Sequence, residues 1–267
     1  MAAVSRARKV SLAQRLALDT YAYLDERFRI RNVADKVGNF YMQINLQFPR
    51  SHVESYKLRS IWYWYPMYTM GTLSFLAFVI AAITGYYLTF YYVPSTVPVA
   101  TTAYGDFGGA PPSEAWVSVA QIMLDVPFGF MIRALHFWSA MIMVAAVFLH
   151  MMRVWLTQAY KKPRELNWLV GFALFFITLG LGYSGYLLPW SQLSYWAGTI
   201  GNEMAAASPP PIVGRVLSSF MFGEVFGSQQ TLSRMYILHV VLLPLAAMAL
   251  IGLHIFVVWV QGIAEPH

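Results

Sequence analysis

Four apolar runs, each long enough to cross a hydrocarbon layer about 30 Å thick, dominate this chain of 267 residues. They extend from about Tyr68 to Tyr92, Phe128 to Trp155, Trp168 to Leu188 and Tyr236 to Val260. Each carries Trp or Tyr near an end, as an interfacial aromatic belt requires, and Ile61-Trp62-Tyr63-Trp64-Tyr65 is the densest such cluster. Breakers separate the runs: Val93-Pro94 and Ala110-Pro111-Pro112 after the first, Lys161-Lys162-Pro163 after the second, and Pro209-Pro210-Pro211 before the fourth. Charged residues make up only 11% of the chain, against about 25% in a soluble domain. The expected fold class is therefore an all-α membrane protein, a four-transmembrane-helix bundle.

A net charge of +6 also fits a nucleic-acid binder, but the placement of the charges excludes that class. Of eighteen Lys and Arg, eleven lie in residues 1–60, four lie between Arg153 and Arg164, and the last three are Arg133, Arg215 and Arg234. The positive-inside rule then puts both termini and the second connection in the cytoplasm, with the other two connections outside. On this topology Arg133, His136, Arg234 and His239 lie near the outer surface, and His150, Arg153 and His254 near the inner one. The basic N-terminus has no early apolar core and does not read as a cleavable signal peptide. Residues 12–40 read as an amphipathic helix on the membrane interface, or as a docking arm for a partner subunit. The expected domains are a cytoplasmic arm over 1–60 and a four-helix domain over 61–267, in a prokaryotic inner or plasma membrane. The chain has no cysteine, so disulfides, thiolate metal sites and covalent haem attachment are excluded for it.

An ionisable side chain inside a span is a functional hypothesis by default, and here there are four histidines in two pairs. His136 and His150 are fourteen positions apart in the second run, His239 and His254 fifteen apart in the fourth. Fourteen helical steps rise about 21 Å and return to within about 40° of the starting face, and fifteen to within about 60°. Each helix thus turns two imidazoles to one side, one near each membrane surface. Two such helices facing each other can clamp two planar metal cofactors stacked across the bilayer. Imidazole is an axial ligand of haem iron, and a haem with two of them passes electrons without an open coordination position. Interhelical hydrogen bonding, a proton relay and metal transport are the other readings of intramembrane histidines.

Glycines repeat the interval. Gly71 and Gly85 are fourteen apart in the first run, and Gly171 and Gly185 fourteen apart in the third. A glycine lets another group approach the helix backbone closely, so these positions read as contacts with the same two porphyrin planes; small-residue helix packing is the alternative. Arg133 precedes His136 by three residues and Arg153 follows His150 by three, one helical turn in each case. With Arg234 they are candidates for binding haem propionates, against a role as topology signals. Pro244, five residues past His239, is expected to kink the fourth helix.

These residues resemble the cytochrome b/b6 family. Ile132-Arg133-Ala134-Leu135-His136-Phe137-Trp138-Ser139-Ala140 is similar to the family's second-helix ligand motif, and Leu149-His150 with Arg153 follows at the family interval. Lys161-Lys162-Pro163-Arg164-Glu165-Leu166 resembles the inner loop of the b6 branch, and Gly185-Tyr186-Leu187-Leu188-Pro189-Trp190-Ser191-Gln192 the exit of the third helix. Thr231-Leu232-Ser233-Arg234 leads into His239, and the fifteen-residue step to His254 is of the b6 type. The resemblance runs from about Leu24 to Gly262.

The resemblance implies a four-helix bundle with two non-covalent b haems in its core. His136 and His239 would ligate the outer, low-potential haem iron, and His150 and His254 the inner, high-potential one. It implies quinol oxidation in an outer pocket with contributions around Trp190, Tyr195 and Ala197. One electron would pass to a Rieske iron–sulfur protein and on to a c-type cytochrome or plastocyanin-like acceptor. The other would cross both haems to an inner quinone, with proton translocation by the Q cycle. The chain departs from the pattern at Thr69, where the b6 branch has a cysteine holding an extra haem. It departs also at Phe137, Trp259 and Val260, where the family has basic residues. The proline–glutamate motif of the quinol pocket is missing, so the resemblance implies a partner resembling subunit IV, in a dimeric complex. The rival readings are a di-haem membrane anchor of a quinone-linked dehydrogenase and a cofactor-free transporter or structural membrane subunit.

Overall fold

The computed structural model describes residues 58–100 (58–66 as backbone), 103–104, 111–223 and 225–262, with 19, 20, 23, 24 and 27. The amphipathic segment expected over 12–40 lies outside the described residues except for Asp19, Thr20, Tyr23, Leu24 and Arg27, which are helical. The described elements are helices, and none of the described residues forms a strand beyond an isolated bridge between Pro98 and Ser113. In order they are α1 (Leu58–Thr89), α2 (Glu114–Leu124), α3 (Gly129–Leu156), α4 (Glu165–Leu187), α5 (Gln192–Ala206), α6 (Pro211–Phe222), α7 (Gln229–Ile237) and, after a π-helical turn at Leu238–Leu242, α8 (Leu243–Gln261).

Among the described residues, four helical stretches are long and apolar enough to cross a membrane: Met67–Thr89, Gly129–Leu156, Glu165–Leu187 and Gln229–Gln261. They fall on the four apolar runs, with two shifts at the ends. The first helix stops at Thr89 and not at Tyr92, because Pro94 forces Val93 into extended backbone and the chain closes in a turn, Tyr92 N–H donating to the Leu88 carbonyl. The last begins at Gln229, seven residues before Tyr236. Its first two turns are polar outside and bury Thr231, Leu232 and Met235, a pattern that hydropathy alone passes over.

The chain forms two compact units, and their boundaries fall within or beside helices. The larger holds residues 66–153 and 172–251. Its connections are themselves ordered. Ser113 caps α2, its side chain accepting from Trp116 N–H. Ser191 and Ser194 form a reciprocal capping box at the start of α5. Pro211 opens α6, and Gly223 closes it at φ 89°, a left-handed conformation suited to glycine. Leu187, Ala205, Phe222 and Met235 make the buried core beneath these helices. Tyr92 donates to the Leu188 carbonyl at 2.6 Å and stacks on Tyr236, ring centres 5.7 Å apart.

The smaller unit holds residues 1–65, 154–171 and 252–267. In it the buried Arg27 donates to Glu165 at 3.1 Å and lies over the Tyr23 ring. Gln261 knits the same unit, its amide donating to the carbonyls of Arg27 and Pro163. Arg27 and Gln261 thus tie together segments far apart in the sequence.

Candidate functional site

His136 projects from α3 and His239 from the π turn, and within the larger unit their ring centres are 6.1 Å apart with planes at 80°. Nδ1 of His136 lies 2.9 Å from the Ala81 carbonyl and 3.1 Å from Thr84 Oγ1. A carbonyl only accepts, so Nδ1 carries the proton and donates, and Nε2 keeps its lone pair. His239 Nδ1 lies 3.2 Å from Ser184 Oγ, with the backbone of Leu181 beside the ring.

Ala81 and Leu181 each stand four residues before one of the glycines singled out by spacing, and the glycine is what admits the ring. A Cβ on Gly85 would stand 2.9 Å from Cε1 of His136, and one on Gly185 would overlap Cε1 of His239. Also in the larger unit, a Cβ on Gly71 would stand 3.1 Å from Cε1 of His150. In the smaller unit, a Cβ on Gly171 would stand 3.4 Å from Cε1 of His254. His254 has the Asn167 backbone beside it, again four residues before its glycine. Each of the four glycines therefore meets one of the four histidines. The glycines that spacing singled out as porphyrin contacts each have an imidazole as a neighbour within the protein.

The donor set suits haem iron. Two imidazoles on opposite sides of one metal ion, each bonded at about 2 Å, hold their ring centres roughly 6 Å apart, and the observed separation of 6.1 Å matches. Among the described residues no three or more His, Cys, Asp or Glu gather as ligands for a bare ion, which zinc or calcium would demand. Sequence reasoning missed Thr84 and Ser184. The available signal was a hydroxyl residue directly before glycine, Thr84-Gly85 and Ser184-Gly185, in otherwise apolar helices.

The three arginines differ in what they touch. Arg133 points Nη1 at Met123 Sδ, 3.4 Å away. Arg153 is buried with its guanidinium 3.9 Å from the centre of the Tyr68 ring, a cation–π contact. Arg234 donates to the carbonyls of Ser219 and Phe220, capping the C-terminus of α6, where a cation is favoured.

Two of the residues expected around the outer pocket, Trp190 and Tyr195, gather in one aromatic cluster with Phe226. Trp190, held at φ 48°, meets Tyr195 edge-on at 6.1 Å, and Phe226 lies 5.3 Å from Tyr195 and 6.5 Å from Trp190. A positive φ at a bulky residue is a strained conformation that the surroundings must enforce. Ala197 packs against the core of Leu187, Ala205, Phe222 and Met235. Gly227, at φ 86°, packs under Tyr195, where a Cβ would stand 2.8 Å from the ring.

Comparison with known proteins agrees with this architecture. A family model described as cytochrome b (N-terminal)/b6/petB matches residues 141–267. Cytochrome b6 of Heliobacterium mobile is 43% identical over 199 residues, 74% of this chain and 85% of that protein. Cytochrome b6 of Stigeoclonium helveticum is 35% identical over 246 residues, 92% of this chain and 98% of that protein. A solved structure titled hyperthermophilic respiratory Complex III matches with a TM-score of 0.63 and 32% identity, covering 80% of this chain. The chain spans just over half of that neighbour's length, 55%. By sequence, helices and histidine sites together, the chain belongs to the cytochrome b/b6 family of membrane-spanning electron-transport haem proteins.

Proposed function

We propose that the chain is the di-haem cytochrome b subunit of a quinol:cytochrome c-type oxidoreductase, moving electrons from an outer quinol oxidation site to an inner quinone reduction site. The observation that carries this reading is the His136–His239 pair, two imidazoles spaced for one iron and each seated on a glycine. His150, seated on Gly71, and His254, seated on Gly171, stand at a matching interval and are assigned to the second haem. When bound, each haem would supply reversible one-electron transfer.

The chain's own residues hold and orient. The Ala81 carbonyl on α1 fixes the tautomer of His136, so its Nε2 keeps a lone pair for the ligand role. Apolar spans keep water out, which preserves the strength of every polar contact inside. Arg133 and Arg153 sit one turn from a histidine and would pair with the propionates of a bound haem, each at its own end of the helix. Trp190, Tyr195 and Phe226 offer flat apolar faces for a quinol ring. We assign the remaining functions to partners: a subunit IV-like chain completing the quinol pocket, a Rieske iron–sulfur protein, and a c-type cytochrome as acceptor. Residues 1–60 are the cytoplasmic arm of the 61–267 haem domain, and both termini are cytoplasmic.

The test is a reduced-minus-oxidised spectrum with haem quantitation on the purified complex. Two b haems per chain are expected. His136→Ala and His239→Ala should each leave one, the inner, unchanged in its potential. Absence of a b-type spectrum from the native protein overturns the reading, and loss of the inner haem alone in either variant overturns the pairing.

A further inference from the structure

We propose that Thr84 and Ser184 are positioning residues that lower the reduction potential of the outer haem by accepting hydrogen bonds from its two axial histidines. The inference rests on the haem reading above and goes beyond it in assigning a role to two hydroxyls.

Both side chains are buried, at 7% and 2% exposure, so water does not substitute for them. Each hydroxyl proton is already committed to its own helix. Thr84 Oγ1 donates to the Ile80 carbonyl at 2.6 Å, and Ser184 Oγ to the Gly180 carbonyl at 2.7 Å. What each oxygen still offers is a lone pair, and each points it at an imidazole Nδ1, at 3.1 Å from His136 and 3.2 Å from His239. A Thr or Ser in an apolar helix is satisfied by the back-bond alone. The second contact, made at both histidines from the same position relative to a glycine, is therefore surplus to folding.

Its chemical effect has a definite sign. At His136 the Nδ1–H is shared between the Ala81 carbonyl and Thr84 Oγ1, and at His239 Ser184 Oγ accepts it; more acceptor density on that proton makes Nε2 a stronger donor. A stronger donor favours the ferric over the ferrous iron and lowers the potential. Because both ligands of one iron are treated alike, the effects act in the same direction.

The experiment is potentiometric titration of both haems in the assembled complex, with the inner haem as internal reference. Thr84→Val keeps the branched shape and removes the lone pair; Ser184→Ala removes only an oxygen. Each should raise the outer potential, the double variant should raise it further, and Thr84→Ser should hold the native value. The ferric electron-paramagnetic resonance signal of the outer haem should shift in the same variants. An outer potential unchanged in Ser184→Ala and Thr84→Val, with haem retained, overturns the proposal, as does an equal shift in both haems. Should Thr84→Val lose its haem, Ser184→Ala decides. A native complex with no haem at the outer pair sinks the underlying haem reading instead, which the spectrum of the native protein reveals before any variant is made.

Discussion

Glycine and histidine act as a unit at each of the four sites, and the clearances rank how strictly. In an ordinary helix interior, Ala is better than Gly by about 1 kcal/mol, so a Gly→Ala change that harms the protein must do so through a neighbour. At Gly185 the added methyl overlaps the His239 ring, at Gly85 it stands 2.9 Å from His136, at Gly71 3.1 Å from His150, and at Gly171 a tolerable 3.4 Å from His254. Overpacking of a fixed ring costs about 1–3 kcal/mol. Haem content per chain should therefore fall in the order Gly185→Ala, Gly85→Ala, Gly71→Ala, with Gly171→Ala close to native. Haem quantitation on the four variants checks the ranking, and uniform tolerance would show that the glycines serve helix packing alone. The four histidines and their glycines were legible in the sequence because their intervals repeat. Thr84 and Ser184 were not, because a lone hydroxyl in an apolar helix looks like ordinary back-bonding until the facing ring is placed.

At the scale of the element, the π turn at Leu238–Leu242 resolves a mismatch between the two ligand helices. His136 and His150 are fourteen residues apart on a regular helix, whereas His239 and His254 are fifteen apart. A π turn absorbs one extra residue, and Leu243 N–H indeed reaches back five residues to the Leu238 carbonyl. Most of the wide turn lies between His239 and His254, so fifteen residues there turn through about the angle that fourteen do elsewhere. Pro244 accounts for its position, since it has no N–H to close a regular turn and its ring crowds the carbonyl four residues back. The sequence announced the proline and the odd interval; it did not announce that the second is relieved beside the first. Deletion of Val241 should close the turn into α-helix and retain both haems. Insertion of an alanine after Val241 leaves an unabsorbed residue, rotates His239 by about 100° relative to His254, and should cost one haem. The haem-to-protein ratio of the two variants distinguishes them, and equal ratios would remove the compensating role of the turn.

For the molecule as a whole, what the chain leaves uncovered matters as much as what it buries. Large apolar side chains along the spans, among them Tyr86, Trp138, Phe176 and Leu245, are exposed on the isolated chain, the surface expected of helices facing lipid and companion subunits. Composition made the four spans plain, while the short helices α2, α5 and α6 in the connections stayed hidden because caps and prolines define them more than hydropathy does. Orientation depends on the charge count, fifteen Lys and Arg against three, and the family's chemistry has direction only if that orientation is right. The absence of cysteine makes it directly measurable, since an introduced thiol is unique within this chain and its label is read on this chain after separation from its partners. Lys162→Cys lies in the connection between α3 and α4 and Ala207→Cys at the end of α5, both at exposed positions. In sealed right-side-out vesicles a membrane-impermeant maleimide should label Ala207→Cys and spare Lys162→Cys, with both labelled after permeabilisation. The lysine change removes one charge of fifteen, too few to reverse the bias that fixes topology. The opposite labelling pattern would invert the assignment of outer and inner histidines, and with it the direction in which electrons descend.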